Sequence, residues 1–299
     1  MELSSNPGVF IVILNWNGYR DSVTCLQSLR EISYPSCEMV FVDNGSTDGS
    51  VARLKEEFKD VVYLENQENL GYTGGNNVGI RYAMEHGAEY VWILNNDTKV
   101  SADALTRLIA AAEKDRKAGL IGPKILQMEN PELAYSMVGR LNMWFPWPDR
   151  MEGEEGSRVT GEAVRVDFLS GAALLVKREF VEKVGLLDER FFFYWEENDW
   201  CERGRKAGFS SVLVPDAKVY HKGGGSSGKG WNEFTAYYLV RNWILFMRKH
   251  AAAKYWITFI PFLIGSLSFW ILKAILKGET PVVRSYLSAI AWNIKTPAK

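Results

Sequence analysis

The run Val9-Phe-Ile-Val-Ile-Leu14 is continuously apolar and rich in β-branched residues, and it ends abruptly in Asn15-Trp-Asn17. Such a run reads as a strand covered on both faces. The pattern then repeats. Glu38–Val42 ends in Asp43-Asn-Gly-Ser-Thr-Asp48, Val61–Leu64 is a third short run, and Tyr90–Leu94 ends in Asn95-Asn-Asp97. Between them, Val23, Leu26 and Leu29 recur at helical spacing, and a helical stretch runs from near Asn76 to Glu85. Strands alternating with helices predict an α/β fold, with a mostly parallel sheet flanked by helices. Ligands of such sheets bind at the carboxyl ends of the strands. The polar clusters at Asn15, Asp43 and Asn95 all fall there.

Beyond this region the pattern breaks. Residues 139–166 are rich in Gly, Pro and Glu and include Trp144, Phe145 and Trp147, so a functional loop or a hairpin is expected. Strand character returns at Val166–Leu169 and Ala172–Val176. A charged segment, Phe191–Trp200, leads into a helix, and Ser211–Val214 and Val219–His221 close the body. The expected division is a body over 1–233 and a helical tail over 234–299.

Charge sets the tail apart. It holds nine Lys/Arg against one acid, Glu279, leaving 26 basic and 35 acidic residues in the body. Because the tail is apolar as well as basic, anionic lipid suits it and nucleic acid does not. Tyr255–Leu272 carries no charge, is interrupted by Pro261 and Gly265, and is bracketed by Lys254 and Lys273. Its length is at the lower limit for a membrane span. An in-plane or re-entrant segment, a single span and a soluble interface helix all remain open. The start, MELSSNPGVF, has no basic and apolar leader, so a cytosolic chain with three reduced cysteines (Cys25, Cys37, Cys201) is expected. Nothing in the sequence speaks to oligomeric state.

Three clusters carry chemistry. Asp97, at the end of a strand, suits a hard divalent ion bridging phosphate oxygens, although it would equally cap the helix after Ser101. Glu196, Glu197 and Asp199 stand behind the aromatic run Phe191–Trp195. Crowded carboxylates beside apolar rings are raised toward general-base pKa values, but the same acids also suit a solvated helix start. His221 beside the Gly/Ser-rich stretch 223–228 can be a metal ligand or a linker residue. The stretch from Gly223 to Lys229 lacks the Ser/Thr of a phosphate-binding P-loop, and Gly71–Gly79 lacks the dinucleotide spacing.

Taken in order, Ile11–Asn17, Val42–Asp48, Asn69–Asn77, Leu94–Asp97, Phe193–Asp199 and His221 closely resemble the motifs of glycosyltransferase family 2. This is the inverting GT-A group, and its rhamnosyltransferase-like branch is the nearest; the resemblance covers residues 8 to 250. It implies a nucleotide-sugar donor (UDP- or dTDP-linked), a glycan or lipid-linked acceptor, and Mg²⁺ or Mn²⁺ as cofactor. By position, Asn15, Asn17 and Asp43 would hold the nucleoside, and Gly75 and Asn76 the ribose or sugar diphosphate. Asn95-Asn96-Asp97 would occupy the Asp-x-Asp motif, with Asp97 and His221 as the metal ligands. Glu197 would be the catalytic base where Asp is more usual, and Asp199 with Trp200 would face the acceptor. The departures at Asn95 and Glu197 also suit a catalytically silent nucleotide-sugar-binding scaffold.

Overall fold

The computed structural model describes residues 6–145, 149–223 and 231–297, with the side chains of 136–138 and 149–150 excepted. In chain order the elements are β1 (Val9–Asn15), α1 (Tyr19–Arg30), β2 (Cys37–Asp43), α2 (Ser50–Glu57), β3 (Val62–Glu65), α3 (Gly71–Glu85), β4 (Tyr90–Asn95) and β5 (Thr98–Val100). Next come α4 (Ala104–Lys114), β6 (Ala118–Gln127), β7 (Ala134–Arg140), β8 (Asp149–Glu152), α5 (Gly153–Ser157), β9 (Val164–Val166), β10 (Phe168–Leu169), β11 (Ala173–Lys177) and α6 (Arg178–Val184). The chain ends with α7 (Glu196–Lys206), β12 (Ser210–His221), α8 (Glu233–His250), α9 (Trp256–Leu276) and α10 (Thr280–Lys295).

One sheet organises the body, in the order β10-β7-β6-β11-β4-β1-β2-β3. β3, β2, β1 and β4 run parallel, whereas β11 pairs antiparallel with both β4 and β6. β1 is buried on both faces, as its unbroken apolar run requires. The register pairs Asn15 with Asp43 and Leu14 with Asn95, so the three polar clusters share one end of the sheet.

Two elements differ from the sequence reading. α3 begins at Gly71, earlier than the expected Asn76, through a run in which glycine weakens helix propensity. The reason is close packing. A Cβ on Gly79 would lie 2.3 Å from Val12 Cγ1, and one on Gly75 would lie 2.4 Å from Leu14 Cδ1. The segments at 211–214 and 219–221 join into one strand, β12, with a register shift between Val214 and Lys218. The stretch 139–166 contains the β7–β8 hairpin and α5; Trp147 and residues 224–229 of the Gly/Ser-rich stretch lie outside the described residues.

The tail does not start where its composition changes. α8 packs against α10 and shares an apolar cluster with Phe191 and Trp195, so it belongs to both body and tail.

Candidate active site

β12 is the last strand of the body, and its end pairs with β5: His221 faces Thr98, one residue past Asp97. This pairing brings two side chains 124 residues apart together. His221 Nε2 lies 3.0 Å from Asp97 Oδ1 and 3.4 Å from the Asn95 amide nitrogen. Both Asp97 and His221 are 9% exposed. Burial pushes the Asp97 carboxyl up. The His221 hydrogen bond and charge, a backbone amide and Lys222 outweigh that and hold it below the ordinary carboxylate value. His221 Nδ1 is buried with no hydrogen-bond partner among the described residues.

These residues line a cavity of about 480 Å³. Asn95, Asn96, Asp97 and His221 meet there with Asn44, which follows β2, and Asn69, which precedes α3. Apart from Leu14 and Gly71 the remaining wall is aromatic: Trp16, Tyr72, Tyr135, the turn Phe192–Tyr194, and Phe234 and Tyr238 of α8. The aromatic turn leads directly into α7, whose first turn carries the half-buried Glu197. Glu197 is not among the described residues that line the cavity, but its charge reaches Tyr72 of this wall. Burial raises the Tyr72 hydroxyl well above its ordinary value, and the charges of Glu196 and Glu197 raise it further. Tyr72 therefore stays protonated and donates to the Gly171 carbonyl at 2.5 Å.

Several residues expected to touch a ligand instead build the frame. Asn15 is 0% exposed: its amide donates to Asp43 at 2.9 Å and Ser46 at 3.1 Å, while its oxygen accepts from Ser22 and Asn96. Asp43, 4% exposed, accepts from Asn15 and from the backbone and hydroxyl of Ser46. Asn17 has φ +52° and accepts from the Thr47 amide, tying the loop after β1 to the loop after β2. Gly75 serves the contact of α3 with Leu14, and Asn76 is 0% exposed, its amide donating to the Tyr72 carbonyl. None of these five lines the cavity.

Asp199 and Trp200, expected at the acceptor, are each 0% exposed, and neither is among the described residues that line the cavity. Asp199 is paired with Arg203 (2.8 Å), Lys249 (2.5 Å) and His250 (2.7 Å), and the Trp200 indole donates to the Gly185 carbonyl. On a helix, position 199 lies about 200° round from 197, which takes it off the face that Glu197 presents.

The sequence reading missed Asn44, Asn69 and the aromatic wall. Asn44 donates to Asn69 and to the Gly71 carbonyl and accepts from Asn66 and the Leu70 amide, joining the end of β2 to the start of α3. The signal was present, since Asn44 and Asn69 both stand inside the motifs that carried the resemblance.

A sheet with a nucleotide-sized cavity at its strand ends, a carboxylate–imidazole pair within it and a carboxylate beside it defines the GT-A class of glycosyltransferases. A family model described as glycosyl transferase family 2 matches residues 10–185, and the chain belongs to that family. Among curated proteins it is similar to the N-acetylglucosaminyl-diphospho-decaprenol L-rhamnosyltransferase of Mycobacterium tuberculosis, 31% identical over 68% of this chain and 72% of the relative. It is also similar to the dTDP-rhamnosyl transferase RfbF of Shigella flexneri, 25% identical over 82% and 81% of the two chains. Among solved structures it resembles a mannosyltransferase of Pyrobaculum calidifontis in complex with GDP-Man and Mn²⁺. The TM-score is 0.60 at 18% identity, over 97% of this chain and 88% of that one. GalNAc-T7 with UDP, GalNAc and Mn²⁺ gives a TM-score of 0.65 at 18% identity over 82% of this chain, which spans 48% of that protein. The chain is thus a glycosyltransferase of GT-A fold with rhamnosyltransferase relatives. Glu197 and His221 both lie beyond the stretch the family model matches.

Proposed function

We propose that this enzyme moves a hexosyl group, with rhamnose the first sugar to test, from a UDP- or dTDP-sugar to a glycan or lipid-linked acceptor. The setting would be cell-surface polysaccharide synthesis at the cytoplasmic face of a membrane. The observation that carries the reading is the contact between Asp97 and His221 inside the cavity.

The donor set fits a divalent ion. One carboxylate oxygen and one imidazole nitrogen stand together, and His221 Nδ1 is left to carry the ring proton if Nε2 binds the ion. Among the described residues no group of three or more His, Cys, Asp or Glu could hold a metal. Two protein ligands leave further positions for the oxygens of a diphosphate, so ion and donor would bind together. Mg²⁺ or Mn²⁺ held there supplies positive charge against the diphosphate as it departs.

This chain's own groups do the rest. Asn44, Asn69 and Asn96 offer neutral polar edges around the donor. Glu197 takes the proton of the acceptor hydroxyl. That oxygen bonds to the anomeric carbon from the face opposite the diphosphate, and the bond to the diphosphate oxygen breaks with inversion of configuration. The nucleoside diphosphate leaves with the electron pair, and no covalent enzyme intermediate is needed.

The tail suits a membrane surface. α9 keeps a stripe of Phe259, Leu267 and Ala274 buried against the protein along most of its length, so it would lie beside the body in the plane of the interface. Ile257, Ile264, Phe269, Leu272 and Ile275 of the same helix are each more than half exposed. Lys254 and Lys277 flank the helix and Lys273 stands in its last turn, basic groups that suit anionic lipid.

Thermal-shift titration with UDP- and dTDP-sugars, with and without Mg²⁺ or Mn²⁺, tests the reading. A fitting donor at a hundred times its Kd should raise stability by about 2.7 kcal/mol. Asp97→Ala should remove the metal-dependent part of the shift. A donor that binds equally well without metal, in wild type and variant alike, would refute the metal role.

A further inference from the structure

We infer that the aromatic wall contributed by α8 and by the turn before α7 is the acceptor subsite, and that it takes a neutral pyranose ring. The inference rests on the glycosyltransferase reading and names the site where that reading places the acceptor.

Four observations carry it. The rings form one connected cluster: Phe193 packs against Tyr72 (6.2 Å between centroids), Tyr194 (4.6 Å) and Phe234 (5.5 Å). Tyr238 stacks on Phe192 (5.0 Å) and touches Phe234 (4.6 Å). Although packed, Phe192, Phe193, Tyr194, Phe234 and Tyr238 are only half-buried where they line the cavity, while Tyr72 is buried behind them.

The turn presenting them is held in an unfavourable conformation. Phe192, Tyr194 and Trp195 have φ of +60°, +69° and +72°, which costs each non-glycine residue about 1–2 kcal/mol. Arg241 and Asn242 of α8 fix it by donating to the carbonyls of Arg190, Phe191, Phe193 and Tyr194, at 2.5–2.7 Å. Strain of this kind persists where the surroundings impose it and clusters at ligand sites.

Position selects the acceptor over the donor. The base must meet the acceptor hydroxyl, and the turn ends two residues before Glu197. The Asp97–His221 pair, suited to the diphosphate, is seated instead in the turn between β4 and β5 and at the end of β12.

The lining selects a sugar over a lipid chain. Leu14 is the one aliphatic side chain among the described lining residues, and Asp97 and His221 are the titratable acid and imidazole there. Aromatic faces interleaved with the hydroxyl-bearing Tyr194 and Tyr238 match a pyranose, whose CH faces stack and whose edges hydrogen-bond. An isoprenoid would need an aliphatic groove.

Phe234→Ala and Tyr238→Ala, with Phe234→Leu and Tyr238→Phe as conservative partners, provide the test. Release of nucleoside diphosphate from the donor would be followed with no acceptor, with phenyl β-N-acetylglucosaminide, and with the same sugar on a diphospho-isoprenoid. The alanine variants should raise the acceptor KM roughly tenfold with both acceptors. The donor KM should stay within about twofold, and Tyr238→Phe should restore most of the affinity. The inference is overturned by an unchanged acceptor KM, by a raised donor KM, by an effect confined to the lipid-linked acceptor, or by no acceptor stimulation of the wild type. Loss of metal-dependent donor binding in the wild type would instead strike the underlying enzyme reading.

Discussion

Carboxylate and histidine meet twice in this chain, and their surroundings give the two pairs different tasks. Asp97 and His221 keep an opening onto the cavity, and among the described residues no other acid lines it with them. Asp199 and His250 are 0% and 3% exposed in their side chains and are enclosed by Arg203 and Lys249. Burial raises the Asp199 carboxyl, but the His250 hydrogen bond and the charges of Arg203 and Lys249 bring it below its ordinary value. Asp188 behaves alike: burial raises it, while hydrogen bonds from Arg190 and Lys249 depress it more strongly. A folded-state pKa below the unfolded value means that stability is fully present above about 3.9 and is lost as pH falls through the folded value. Denaturant unfolding as a function of pH should therefore show stability falling steeply below about pH 4. Asp199→Asn should lower stability by about 3–5 kcal/mol at neutral pH and flatten that acid slope. An unchanged slope would show that this cluster is not what acid disrupts.

Among the elements, the strands of the parallel half and their polar ends were legible because apolar runs, helical spacing and turn residues all pointed the same way. Asp97, His221 and Glu197 could be placed on the strand ends and helix start that carry them. The frame residues were harder. Asn15 looks like a ligand-facing amide until its hydrogen bonds to Asn96 and Ser22 are seen. Nothing local distinguishes an asparagine that holds a loop from one that holds a nucleotide. The start of α3 was hidden because its glycines serve tight packing against the sheet, at the expense of helix propensity. The left-handed turn at Phe192–Trp195 contains no glycine to announce it, since its conformation is imposed from α8. Phe234 and Tyr238, one helical turn apart, read from sequence as part of an aromatic, lipid-facing tail. Packing turns them onto the cavity instead, which moves α8 into the catalytic unit.

At the scale of the whole molecule, α8 is the hinge of the account. One part of it contributes to the site, and the rest packs against α10 and, through Trp243, against Phe259 of α9. The enzyme is thereby held close to its proposed membrane surface. Co-sedimentation with vesicles should show binding to anionic lipid that weakens as salt rises, because the basic groups are screened within about 10 Å at 0.1 M. Removing residues after 250 should abolish it while leaving donor binding in place. Equal binding by the truncated chain would place the membrane contact elsewhere.

The central claim is that Glu197 deprotonates the acceptor for a single inverting displacement. Analysis of the product's anomeric configuration by NMR, paired with the transfer rate of Glu197→Gln, tests it most directly. The account predicts an inverted product from the wild type, and a rate reduced about 10²–10⁴-fold in the variant with donor binding unchanged. A product with retained configuration, or a Glu197→Gln enzyme that transfers at the wild-type rate, would contradict it.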